Sequence, residues 1–111
     1  MQEIISELQT LSQQVLEAID RLGIVEKEQE LTKLQAQALQ PDFWQDQTAA
    51  QQAMKQQAKL SAVVDPWRAL ETQLTDALEL AQLNDESLRA DLTTQLKTAT
   101  DTFLQLKKDL Q

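Results

Sequence analysis

Between Asp46 and Leu83, apolar residues recur at every seventh position. Ala53, Leu60, Trp67, Leu74 and Ala81 form one series, and Val63, Leu70 and Ala77 form its companion. Positions three and four apart share one side of the chain only when it is α-helical, so the stripe commits this stretch to a helix that buries one face. The stripe keeps its phase across Pro66, where a helix would ordinarily stop. Asp65-Pro66 can therefore be read in two ways. Asp65 could cap a new helix with Pro66 at its first position, or one helix could continue through a kink at Pro66. The unbroken phase favours the second. A single rod of this extent would be about 55 Å long.

The flanking segments carry the same signature. From residue 2 to 22, Ile4, Leu8, Leu11, Val15, Ala18 and Leu22 alternate at spacings of four and three, with Ile5, Leu16 and Ile19 widening the stripe. Gly23 follows at once and is the only glycine. A left-handed residue that ends a helix belongs there, so a break or sharp kink is expected. Residues 24 to 39 place Ile24, Leu31, Leu34, Ala38 and Leu39 on one side. Glu26, Lys27, Glu28, Glu30 and Lys33 fill the other, as a solvated face with helical charge pairs. Pro41 then stops the helix, and Asp46 is placed to cap the long rod. After Leu83-Asn84-Asp85, where Asn84 or Asp85 can cap the last helix, the stripe resumes through Leu88, Leu92, Leu96, Ala99, Phe103, Leu106 and Leu110. Short connections force neighbouring helices to run antiparallel. The expected fold is all-α: an elongated antiparallel helical bundle of three layers, about four helices with coiled-coil-like packing. With no Tyr and few Gly and Pro, nothing in the composition points to a sheet.

Composition also narrows the chemistry. Neither Cys nor His is present, which removes thiolate nucleophiles, disulfides, His-based triads and nearly every zinc site. One glycine cannot build a nucleotide loop. Ser6, Ser12, Ser61 and Ser87 have no base partner in the sequence. The net charge of -8 is spread along the chain, which argues against clamping nucleic acid by charge alone. Lys55, Lys59 and Arg68 are the candidates for local phosphate contacts, with ordinary solvated cations the expectation. No run is apolar enough for a signal segment or a membrane span, so a cytoplasmic location and no membrane partner are expected. The chain reads as a binding or spacing module rather than an enzyme. No catalytic, cofactor or metal residue is assigned, and no small-molecule substrate is expected. Phe43 and Trp44 sit in the connection before the long helix, either as an apolar plug over the end of the bundle or as an exposed anchor for a partner. The plug is the expectation. Without further motifs, a free-standing coiled-coil adaptor that self-associates through its seams fits as well.

Two motifs go further. Leu39-Gln40-Pro41-Asp42-Phe43-Trp44-Gln45-Asp46 is followed by Ala49-Ala50, then by Leu60 and Val63-Val64-Asp65-Pro66-Trp67. This combination, with the acidic Leu83-Asn84-Asp85-Glu86 turn, resembles the N-terminal domain of bacterial class-I peptide chain release factors. It is most similar to the release factor two type, which reads UAA and UGA. The resemblance covers nearly the whole chain. It implies a single helical domain over residues 1–111 of a longer factor, with the codon-reading and Gly-Gly-Gln domains lying later and absent here. It also implies a ribosome-binding role in stop-codon-dependent peptide release, with no cofactor. The implied contact is at the stalk base of the large subunit, with the stalk-base protein and its rRNA, and the GTPase-type release factor is a further implied partner. No functional residue of the family's later domains has a counterpart in this stretch, so none is carried over.

Overall fold

A computed structural model describes residues 1–110, and the domain boundary expected at Gln111 lies outside the described residues. Four α-helices are present among them: α1 (Gln2–Arg21), α2 (Ile24–Ala38), α3 (Gln47–Ala81) and α4 (Arg89–Lys108). Short 3₁₀ turns at Phe43–Gln45 and Glu86–Leu88 precede α3 and α4. No strand occurs among the described residues, so the fold is all-α, as the periodicity requires.

The breaks fall where local chemistry puts them. Gly23 adopts φ 65° and ψ 38°, the left-handed conformation that costs other residues most. Its N–H donates to the Asp20 carbonyl at 3.2 Å. The Lys27 ammonium donates to the Leu22 carbonyl at 2.8 Å, which satisfies a carbonyl left over at the end of α1. Asp46 is extended at φ -96° and ψ 95°. Its carboxylate accepts from the Ala49 N–H at 3.1 Å, closing the first turn of α3. The helix then runs unbroken through Pro66. Pro66 cannot donate to the Ala62 carbonyl, and Ala62 is exposed, so water is at hand for that group.

The residues cluster into two compact units. One comprises Met1–Ala18 with Pro66–Gln111, and the other is Ile19–Asp65. In the first, α3 and α4 reverse through Asn84, whose φ of 55° uses the tolerance of Asn for the left-handed region. Asp85 caps the following 3₁₀ turn, accepting from the Ser87 N–H at 3.0 Å and its hydroxyl at 2.7 Å. Ile4, Leu8, Leu11 and Val15 of α1, Trp67, Leu70, Leu74, Ala77 and Ala81 of α3, and Leu92, Ala99 and Phe103 of α4 are buried. Trp67 and Phe103 meet edge to face with ring centroids 6.0 Å apart. In the second unit the buried set is smaller: Ile19, Ile24, Leu31, Leu34, Ala50 and Val64.

Three stripe assignments need correction. Leu16 is exposed. It lies roughly 90° from the centre of the α1 stripe at 100° per residue, so it sits on the flank. Leu39 is 84% exposed because α2 ends at Ala38 and the chain has left the helix by then. Leu110 is exposed for the same reason, beyond the end of α4 at Lys108. Among the described residues no polar or charged side chain is buried. None of their helices is long and apolar enough to cross a membrane.

Candidate functional site

Leu39 to Lys59, all within the second unit, gather an exposed tryptophan, exposed apolar side chains and two exposed lysines in one short stretch. The Leu39 N–H donates to the Ala36 carbonyl at 3.2 Å, and the Gln40 N–H to that of Gln37 at 3.1 Å, so α2 unwinds in tight turns. Pro41 fixes the following bend. The Phe43 N–H donates to the Gln40 carbonyl and the Gln45 N–H to the Asp42 carbonyl, each at 3.2 Å. These bonds place Phe43 and Trp44 on a 3₁₀ turn.

The two rings pack edge to face, with centroids 4.7 Å apart. Phe43 is half-buried, but Trp44 is 56% exposed. The expected plug is therefore corrected for Trp44: its indole faces solvent because Phe43 takes the inner position. Each ring borders its own hollow. A groove of about 360 Å³ is lined by Trp44, Gln47, Ala50, Gln51, Met54 and Lys55. A shallower one of about 350 Å³ is lined by Gln37, Gln40, Asp42, Phe43, Ala49 and Ala53. Leu39 and Met54 add exposed apolar surface to this end of the unit.

Of the three cations singled out as phosphate contacts, Lys55 and Lys59 stand one turn apart on α3, both exposed. Arg68 belongs to the other unit and pairs with Glu71 at 2.8 Å. The structure thus separates it from the lysines in role as well as in unit. In sequence, Met54 and Gln51 gave no sign of bordering a groove. Only the position of the Trp44 ring, set by the 3₁₀ turn, makes them its walls.

The α3–α4 turn is the other polar cluster. Arg89 donates to Glu86 from two nitrogens, at 2.7 and 3.1 Å. The Met1 ammonium lies 3.7 Å from the same carboxylate. Hydrogen bonding from Arg89 holds the Glu86 carboxyl below its usual pKa. The Ser87 hydroxyl and N–H do the same for Asp85. Asp85, Glu86, Ser87 and Arg89 are exposed, and their charges and hydrogen bonds are taken up by one another. Among the described residues no group of acidic side chains is arranged to hold a metal ion.

Comparison with known proteins gives a consistent result. The PCRF domain family model matches residues 27–111. Peptide chain release factor 2 of Thermomicrobium roseum is 32% identical over 80 residues, covering 68% of this chain and 21% of that protein. Peptide chain release factor 2 of Chloroflexus aggregans is 30% identical over 99 residues, covering 86% and 27%. The Listeria innocua protein of the same name is 30% identical over 112 residues, covering 97% and 31%. The chain therefore spans between about a fifth and a third of the length of these relatives. No solved structure matches it.

Proposed function

This chain belongs to the PCRF domain family, and from that premise we propose that it is the N-terminal, ribosome-binding domain of a class-I peptide chain release factor. Residues 1–111 form the helical domain of a factor whose codon-reading and Gly-Gly-Gln domains follow. The observation that carries this reading is the family match from residue 27 to the end of the chain, together with relatives named as release factor 2. The Pro41-Asp42-Phe43-Trp44 and Val63-Val64-Asp65-Pro66-Trp67 motifs at their spacing support the same type, the one that reads UAA and UGA.

In this reading the domain does no chemistry. The factor triggers hydrolysis of peptidyl-tRNA in the cytoplasm through its later domains, and this one docks at the stalk base of the large subunit. The charge favours the stalk-base protein over its rRNA as the main contact. A domain at -8 gains little from phosphates. The GTPase-type release factor is a second partner of the same domain.

Cross-linking of the full factor, bound to ribosomes stalled at UGA, tests the reading. Cross-links from residues 1–111 to the stalk-base protein are expected, and a downstream coding sequence without a Gly-Gly-Gln loop would sink it. Sedimentation of the isolated chain separates it from a free-standing adaptor. A monomer is expected, whereas a concentration-dependent dimer would favour the adaptor.

A further inference from the structure

The charge along α3 is uneven in a way that packing does not require. From Gln47 to Val64 there is no carboxylate, in a chain whose net charge is -8. Within that stretch Lys55 and Lys59 project into solvent one helical turn apart. Lys55 lines the groove together with Trp44, Gln47, Ala50, Gln51 and Met54, and Lys59 stands one turn further along the helix. The Trp44 ring is exposed yet held in place by Phe43. Ala50 and Met54 lie at i and i+4, so the groove follows the helix axis.

We infer that this groove is a docking site for an acidic amphipathic helix of a protein partner. Leucine-type side chains of such a helix, spaced at i, i+4 and i+7, would lie against Trp44 and Met54. The rigid indole supplies contact area at small entropic cost, and the thioether adapts its shape to what it meets. Carboxylates on the flank of the partner helix would reach Lys55 and Lys59. A basic helix would meet those same lysines as like charges, so the site selects by charge sign as well as by apolar fit. Two lysines are too few to hold RNA, and the groove walls are apolar rather than a run of stacking platforms. A second copy of the chain carries the same net charge of -8, and that like charge keeps whole copies apart. The inference deepens the reading above, resting on its choice of protein over RNA as the contact, and it names the chemistry recognised.

The test is a titration of the 111-residue chain with a synthetic peptide carrying leucines at i, i+4 and i+7 and glutamates on the flanks. A Trp67→Phe background leaves Trp44 as the only indole, and calorimetry on the parent chain serves if that variant does not fold. Binding is expected to shift Trp44 emission to the blue. It should be at least about tenfold tighter than for the same peptide with lysines in place of glutamates. Trp44→Ser and the Lys55→Glu/Lys59→Glu pair, both at exposed positions, should each weaken it by about tenfold or more with an unchanged circular dichroism spectrum. Absence of binding, equal binding of the two peptides, or tighter binding of a single-stranded RNA oligonucleotide would overturn the inference. So would a dimer of the chain that the Trp44→Ser change abolishes. Cross-links to the stalk base can be absent while the peptide still binds, which removes the ribosomal contact alone. Peptide failure with those cross-links present removes the acidic-helix site alone.

Discussion

The two tryptophans lie in the two units of the same chain and have opposite surroundings. Trp67 is 2% exposed and packs edge to face on Phe103, while Trp44 is 56% exposed and packs edge to face on Phe43. The helix that follows each shows the same contrast. After Pro66, the α3 stripe of Trp67, Leu70, Leu74, Ala77 and Ala81 is buried throughout. Before it, only Ala50 and Val64 are buried, and Ala53, Leu60 and Val63 remain half-buried. One amphipathic pattern thus serves as core in one unit and leaves apolar surface in the other. An aromatic ring contributes most to stability where other side chains enclose it, and most to recognition where a fixed neighbour leaves it presented.

The largest expected effect breaks or upholds that contrast directly. Trp67→Ala should cost roughly 3–5 kcal/mol, as truncation of an enclosed large aromatic does. Trp44→Ala should change stability by less than about 0.5 kcal/mol. Urea melts of the two variants against the parent give both numbers, and coincident curves would erase the distinction. Next comes the hinge between α1 and α2. Gly23→Ala forces a side chain into the left-handed region at φ 65° and should cost about 1–2 kcal/mol by thermal melting. The new methyl group would meet only the end of the flexible Glu26 side chain, at 3.3 Å, so the penalty comes from the backbone. Gly23→Asn should recover part of it.

Asp46→Ala sharpens the comparison at the start of α3. It should cost about 1 kcal/mol through loss of the bond to the Ala49 N–H. It should also loosen the turn that carries Trp44, seen as faster amide exchange at Phe43–Gln45. The smallest effect is at the α3–α4 turn. Asp85 and Glu86 have lowered pKa values in the folded chain, through Ser87 and Arg89 respectively. Their contribution is complete above the ordinary carboxylate pKa and fades as the pH falls through the lowered values. Melting temperature should therefore drop on acidification below about pH 4, and Asp85→Asn, which keeps a capping oxygen but not the titration, should flatten that decline.

Much of this was legible in the residues. The helical class, the break at Gly23, the cap at Asp46, the continuity of α3 across Pro66 and the enclosure of Trp67 all follow from spacing and turn chemistry. Each depends on interactions within a few residues, or on a periodicity that a helix must obey. The exposure of Leu16, Leu39 and Trp44 was not legible in that way. Leu16 sits at the margin of a stripe whose width depends on what packs against it. Leu39 was counted with a helix that ends one residue earlier. Trp44 was expected to close the bundle, and which of two adjacent aromatics turns inward depends on the 3₁₀ turn that carries them.

By itself, the order of residues determined which segments are helical and which side of each is apolar, because backbone hydrogen bonding and the 3.6-residue turn act locally. The family resemblance was available at the same level, in two short motifs and the distance between them. Only the tertiary structure decided which apolar positions are covered. Burial depends on whether another segment stands opposite, and no periodicity along one chain segment contains that information. The groove beside Trp44 arises in the same way, from a ring held on one turn and two side chains presented by the next helix.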